Sequence, residues 1–370
     1  MKQLIVKLCL LFMATAPITA CAQNNGDHYL LVGTYTTGKS EGIYVYKFNS
    51  NTGEFTPVSI AKGIKNPSFV AVSPDNKYVY AVSETDGQGS VSSFRFNDGT
   101  LTPLNSRSSG GNGPCYVSVD KTGKWVAVGN YGGGSFEILP VQPDGSLGEA
   151  STIMVHQGTS VNPQRQEKAH VHMTMFGPNN DYLFVPDLGI DKVMVYKFDA
   201  KTGKISNATP AIADPGHGPR HLAFNPDGKY AYLMEELSGT VAVFSYKNGK
   251  LTAIQNISSH PAGYKGAIGS ADIHVSPDGK FLYCSNRGES NTIAIFSIEH
   301  NGQIKPVGYE STLGKAPRNF NLDPSGNFIL VANQNSDNIV IYKRDHKTGK
   351  LTPLAKQISV PNPVCIKWAD

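Results

Sequence analysis

One short phrase recurs down the whole chain and narrows what it can fold into. In its fullest form it runs Pro219-Arg220-His221-Leu222-Ala223-Phe224, then the turn Asn225-Pro226-Asp227-Gly228-Lys229. A second apolar run, from Tyr230 to Met234, stops at Glu235 and Glu236. Proline presets φ in such a turn and glycine takes positive φ, so the flanking runs read as an antiparallel hairpin. The turn returns at Pro74, Lys121, Pro178, Pro226, Pro277 and Pro324, in steps of 47, 57, 48, 51 and 47 residues. A unit of that length with several short strands is the mark of a β-propeller blade.

Within each unit another strand follows, such as Thr240 to Tyr246, and then a Gly turn leading to Leu-Thr. Examples are Gly249-Lys250-Leu251-Thr252, Gly99-Thr100-Leu101-Thr102 and Gly349-Lys350-Leu351-Thr352. Four strands per unit fit the spacing. Tyr29-Leu30-Leu31-Val32-Gly33-Thr34-Tyr35 matches the second run with no first run before it. Pro363-Val364-Cys365-Ile366-Lys367-Trp368 supplies the missing first run from the other end of the chain. Joining the two removes free sheet edges and brings the count to seven blades. The expected fold is therefore all-β, a seven-bladed propeller over residues 27–370 closed by its last strand.

Length alone, 370 residues, would suggest two or three domains, but one repeat throughout overrides that prior. A net charge of +4 and the absence of any Lys/Arg run exclude a phosphate-binding stripe, so no nucleic-acid partner is expected. Lys2 and Lys7, the apolar run Leu8 to Ala14 and the small residues after it read as a signal peptide over residues 1–21. Ile18-Thr19-Ala20-Cys21 resembles a bacterial lipobox, with Cys21 as the lipidated first residue; cleavage after Ala22 is the rival. Either route predicts an exported protein, in the periplasm or as an outer-membrane lipoprotein, touching membrane only through that anchor. Cys115, Cys284 and Cys365 are isolated and read as buried thiols.

Aligning the blades on their turns predicts which side chains meet. Arg220 shares its first-run position with Ser68, Cys115, His172, Ala271, Arg318 and Val364. Glu236, just past the second run, corresponds to Tyr35, Glu84, Tyr131, Leu188, Arg287 and Gln334. Antiparallel neighbours place the start of one run beside the end of the other, so both sets ring one mouth of the central channel. A histidine, a carboxylate and several arginines in one concavity suit hydrolysis of an anionic ester or lactone. Ordinary rim ion pairs are the plainer alternative.

The 57-residue step carries its surplus in the polar stretch His156 to Ala169, just ahead of His170-Val171-His172, and loops on a rigid scaffold often build sites. His170 and His172, at alternate strand positions, share a side. With no third ligand in register, no metal is expected. His274 reads as a core histidine, Asn130 to Ser135 as a tight turn, and His217 and His221 as flanks of Arg220.

The chain resembles the seven-bladed-propeller lactonases, the family of bacterial propeller-type 6-phosphogluconolactonases and fungal carboxymuconate cyclases. The resemblance rests on Val32-Gly33-Thr34-Tyr35, Gly129 to Ser135, Arg165-Gln166, His170-Val171-His172, Pro186 to Asp191 and Gly218-Pro219-Arg220-His221. It continues through Glu235-Glu236-Leu237, Ser285-Asn286-Arg287-Gly288 and Pro317-Arg318-Asn319-Phe320. It implies a cofactor-free and metal-independent hydrolase acting on a small anionic lactone, with His172, Arg220, Glu236 and Arg287 as catalytic residues. Glu236 or His172 would be the base, and Arg220, Arg287 and Arg318 would hold and polarise the lactone. His170, His221, Tyr131 and Arg165 join Arg318 as candidate substrate contacts. A lactonising cyclase, or a non-catalytic propeller that binds a glycan or protein, are the alternatives.

Overall fold

The computed structural model describes residues 26–370, so the signal-peptide and Cys21 readings fall outside the described residues. Seven four-stranded antiparallel sheets make up the chain. Blade five shows the pattern, with strands Pro219–Phe224, Tyr230–Glu235, Thr240–Lys247 and Lys250–Ser258 in spatial order. A 3-10 turn at Gln334–Ser336 is the only helix among the described residues. Pro363–Ala369 pairs with Asp27–Thr34, so the last strand completes blade one as expected.

The second strand of each blade is buried on both faces, as in Phe328–Asn333, because neighbouring blades cover it from either side. Its unbroken apolar run is the sequence consequence of that burial. The fourth strand faces solvent, as the exposed positions of Leu351–Ser359 show. Packing between blades carries the cores. Leu30, Val32 and Phe48 of blade one pack with Phe328, Leu330 and Ile339 of blade seven across the closure.

Why the turn phrase recurs is visible in its contacts. Gly228 has φ +67°, and a Cβ there would meet Pro178 of the preceding blade at 3.2 Å. The turns of blades three, five, six and seven thus rest on the proline of the blade before, through Gly123, Gly228, Gly279 and Gly326. A second interlock joins the Gly of the outer hairpin to an aromatic ring. A Cβ on Gly249 would stand 2.2 Å from Cε1 of Tyr182, and one on Gly53 would stand 3.0 Å from Cε1 of Phe328. The latter pair bridges blades one and seven, so the closure repeats the contact used between ordinary neighbours.

Candidate active site

A β-bulge aims the inner ring of side chains. In blade five Pro219 pairs with Glu235 and His221 with Met234, leaving Arg220 without a partner on the neighbouring strand. The same two-against-one pairing leaves Cys115, Arg318 and Val364 unpaired in blades three, seven and one. Such a bulge bends the strand and redirects one side chain, and bulges concentrate next to active sites. Proline at the first residue of these strands has no N–H to lose from the ladder.

Ser68, Cys115, His172, Arg220, Arg318 and Val364 accordingly line one void of about 10 Å³ in the channel, together with Phe69, His221 and Asn319. That volume is about what one water molecule needs. Ala271, the seventh ring position, contributes its carbonyl oxygen, which accepts from Arg220 Nη1 at 2.6 Å.

Above this floor the second ring gathers on Glu236. Its Oε2 accepts from Arg220 Nε at 2.8 Å and lies 3.1 Å from Arg287 Nη2, while its Oε1 accepts from Arg165 Nη2 at 2.7 Å. Burial by itself would raise the Glu236 carboxyl, but the charges of Arg287, Arg220 and Arg165 outweigh it and hold the group far below the usual carboxylate range. His172 Nε2 stands 3.8 Å from Glu236 Oε2, too long for a hydrogen bond. Burial, reinforced by the Arg220 charge, holds His172 well below the ordinary imidazole value, so the ring is neutral. Cys115 Sγ lies 3.8 Å from His172 Nδ1, yet burial and the charge of Glu84 push the thiol up to about 12. That pair is no activated nucleophile.

Arg165 comes from the long loop, and local anchors explain its place. His156 Nδ1 lies 2.7 Å from Asp187 Oδ2 at the start of the loop, and Gln166 donates to the Leu188 carbonyl at 2.9 Å near its end. Asp187 Oδ1 also accepts from the His170 amide, while Asp191 accepts from the amides of Gly216 and Gly218 just before Arg220. The segment Pro186 to Asp191 is therefore a clasp that fixes both approaches to the site. Arg165 also donates to the Tyr131 hydroxyl at 3.1 Å, and Tyr131 walls that side of the mouth.

Two expectations need correction, the regular strand at His170 and His172 and the core position of His274. His170 and His172 do not sit on a regular strand, because residues 170–174 make one isolated bridge, Val171 to Asp187, before the strand Met175–Phe176 begins. His170 stacks on Tyr131 at 4.4 Å and is tied to the Tyr131 carbonyl and to Glu167, so it braces that wall from behind. His221 underlies the site: its Nδ1 pairs with Asp272 Oδ1 at 2.7 Å, and Arg220 Nη1 lies 3.3 Å from both ring nitrogens. Burial and the Arg220 charge lower His221 to about 3 despite the Asp272 partner. His274 is satisfied, by Asp272 Oδ2 at 3.0 Å, but a quarter of its side chain is exposed at a second cavity below the floor.

Two groups at the site were absent from the sequence candidates. Buried Asp272 ties together His221, His274 and Asn319 beneath Arg220. On the far side of the mouth, Glu84 Oε2 accepts from Tyr35 Oη at 2.9 Å and from Ser68 Oγ. Arg318 lies over the Tyr35 ring, 5.5 Å from its centre. By contrast, a cavity of about 800 Å³ outside blade five, among Lys229, Tyr230, Tyr246 and Lys250, contains no histidine or carboxylate. Histidines and carboxylates gather instead at the channel mouth. Among the described residues, no group of three or more His, Cys, Asp or Glu side chains is arranged to hold a metal ion.

Comparison with known proteins agrees with this architecture. The family described as "Lactonase, 7-bladed beta-propeller" matches residues 29–368. A protein of Bacillus subtilis named 6-phosphogluconolactonase is 39% identical, over 91% of this chain and 97% of its own. One of the same name from Formosa agariphila is 40% identical, over 90% and 96%. The solved structure of a periplasmic gluconolactonase from Pseudomonas aeruginosa superposes with a TM-score of 0.88 at 37% identity, covering 93% of this chain and 99% of that one. Fold, register and relatives together make this chain a member of the seven-bladed β-propeller lactonase family.

Proposed function

We propose that this protein hydrolyses the ester bond of a small anionic sugar lactone, with 6-phosphogluconolactone or a related aldonolactone as substrate. The observation that carries this reading is the convergence of Arg165, Arg220 and Arg287 on Glu236, beside the void that His172 and Arg318 line. Four guanidinium groups face two carboxylates in one mouth, and that excess of positive charge favours an anionic ligand and a developing oxyanion. Relatives named 6-phosphogluconolactonase and periplasmic gluconolactonase support the substrate class.

In this mechanism Arg287 and Arg318 bind the substrate's acidic group and carbonyl oxygen. Arg220, whose fork is fixed by Glu236 and the Ala271 carbonyl, stabilises the tetrahedral oxyanion. Glu236 is the permanent anion that sets the arginines in place. Neutral His172, with Nε2 free of any hydrogen bond, orients the attacking water. Hydrolysis of D-gluconolactone, 6-phosphogluconolactone and carboxymuconolactone, followed against spontaneous opening with Arg287→Ala alongside, tests the reading. Wild-type protein with no turnover above background on all three would sink it.

We also propose that the chain is exported and lipid-anchored at Cys21, on the strength of Lys2, Lys7, the apolar run and Ile18-Thr19-Ala20-Cys21, and of the relative named periplasmic. Palmitate labelling that survives Cys21→Ser would refute the anchor.

A further inference from the structure

Both proton acceptors expected from the sequence are weak ones. Glu236 has each oxygen engaged by guanidinium groups, and protonating it would break three ion pairs at once. His172 is buried beside Arg220, where an imidazolium would meet a second cation at close range, and the nearest carboxylate, Glu236 at 3.8 Å, is already engaged by three arginines. An efficient general base needs an accessible lone pair and no such penalty for taking a proton.

Glu84 meets both conditions. It follows the second strand of blade two, Tyr78–Ser83, at the rim position that Glu236 holds in blade five. Its backbone is fixed from both sides, with its amide donating to the Asn66 carbonyl at 3.1 Å and its carbonyl accepting from Asn66 Nδ2 at 3.0 Å. Tyr35 Oη and Ser68 Oγ, both neutral donors, hold Oε2. Both hydrogen bonds to the carboxylate fall on Oε2, no donor among the described residues engages Oε1, and the residue is only half-buried. Ser68 itself lines the small void shared by His172, Arg220 and Arg318. The carboxylate is thus oriented by one oxygen and without a hydrogen bond at the other, one hydrogen bond through Ser68 from the place that suits one water.

We propose that Glu84 is the general base of the lactonase reaction, a reading that rests on the hydrolysis proposed above. Glu84 takes a proton from the water as the water oxygen forms its bond to the lactone carbonyl carbon, and the carbonyl electron pair moves onto the oxygen held by the arginines. Collapse of the tetrahedral intermediate breaks the ring C–O bond. The departing ring oxygen receives the proton back from Glu84, leaving the open hydroxy acid and a carboxylate ready for the next turnover. Blade two faces blades five and six across a seven-membered ring, so base and oxyanion-holding arginines approach the carbonyl carbon from opposite sides.

Steady-state kinetics of Glu84→Gln, Glu84→Ala and Glu236→Ala on the best lactone substrate test this. Removing a positioned base lowers the rate by about 10²–10⁴-fold, so Glu84→Gln is expected to lose kcat on that scale with KM within about threefold of wild type. Added formate should restore at least tenfold of the lost kcat in Glu84→Ala and nothing in Glu236→Ala. A Glu84→Gln enzyme with wild-type kcat overturns the proposal while leaving the lactonase reading intact, whereas wild-type protein inert on every lactone removes both. If Glu84→Gln fails to fold, Glu84→Asp decides, since it keeps the anion and withdraws it by one methylene. A kcat at the wild-type level there overturns the proposal, and a fall of more than tenfold with an unchanged melting temperature supports it.

Discussion

Arg165 Nη2 lies 2.7 Å from Glu236 Oε1, although the two residues are 71 positions apart and belong to different parts of the ring. One end of this ion pair is a partly exposed loop arginine and the other is a buried carboxylate already shared by two more arginines. Their replacement should therefore have different consequences.

Arg165→Ala removes a partly exposed cation from the rim and leaves Glu236 with Arg220 and Arg287. A partly screened pair contributes about 1 kcal/mol, so KM is expected to rise about tenfold at most, with kcat little changed. Glu236→Gln releases all three arginines and should lower kcat/KM by at least 10²-fold. Comparable losses in the two variants would contradict the hierarchy.

Arg220 is 1% exposed, and its loss would leave Glu236 Oε2 and the Ala271 carbonyl without their closest donor. Breaking a buried pair by removing one partner costs roughly 3–5 kcal/mol. Urea unfolding of Arg220→Ala should show a loss in that range, and Arg220→Lys should recover only part of it, because an ammonium cannot reproduce the planar fork.

Glu137 is buried in blade three with Oε1 unpartnered, and burial, aided by Glu149, raises its carboxyl from 4.5 to about 8. Between those two values the folded chain holds a proton that the unfolded chain has released. Stability must then fall as pH rises through that window, with the loss complete above the folded value. Glu137→Gln, which mimics the protonated form, should leave the melting temperature unchanged near pH 4.5 and raise it at pH 8.5, by up to a few kcal/mol in stability. Equal melting curves at the higher pH would refute this.

Deleting Pro363–Ala369 strips blade one of its inner strand and uncovers Leu30, Val32 and Phe48. An unpaired, apolar strand edge promotes association. The truncated chain is expected to be insoluble or aggregated by size-exclusion chromatography, and a monomeric product with the wild-type melting temperature would contradict the closure.

Much of this was legible in the sequence because the turn phrase does the same job in every blade. Gly228 on Pro178 and Gly249 under Tyr182 are contacts between repeats, so the letters that make them must themselves repeat. The long step before His170 likewise pointed to the loop that delivers Arg165. The bulges were invisible, since an inner strand such as Pro219–Phe224 is buried on both faces and has no apolar-polar alternation for an extra residue to break. The break at residues 170–174 was hidden for a related reason: a strand pattern says nothing about whether a partner is present. Glu84 stood in the aligned register but looked like its rim neighbours, and only its bonds to Tyr35 and Ser68, set against the three arginines on Glu236, separate the two carboxylates.

The closure of blade one by Pro363–Ala369 has a consequence for when the protein becomes competent. Arg318 and Tyr35 face each other across the seam, and Asn319 accepts from the amide of Ile366 on the closing strand. During synthesis every one of the four arginines at the mouth is made before that strand emerges, yet blade one lacks its inner strand, and with it the Asn319 contact to Ile366, until the strand docks. The seven residues Pro363–Ala369 thus act as a latch that turns a complete inventory of side chains into a receptor.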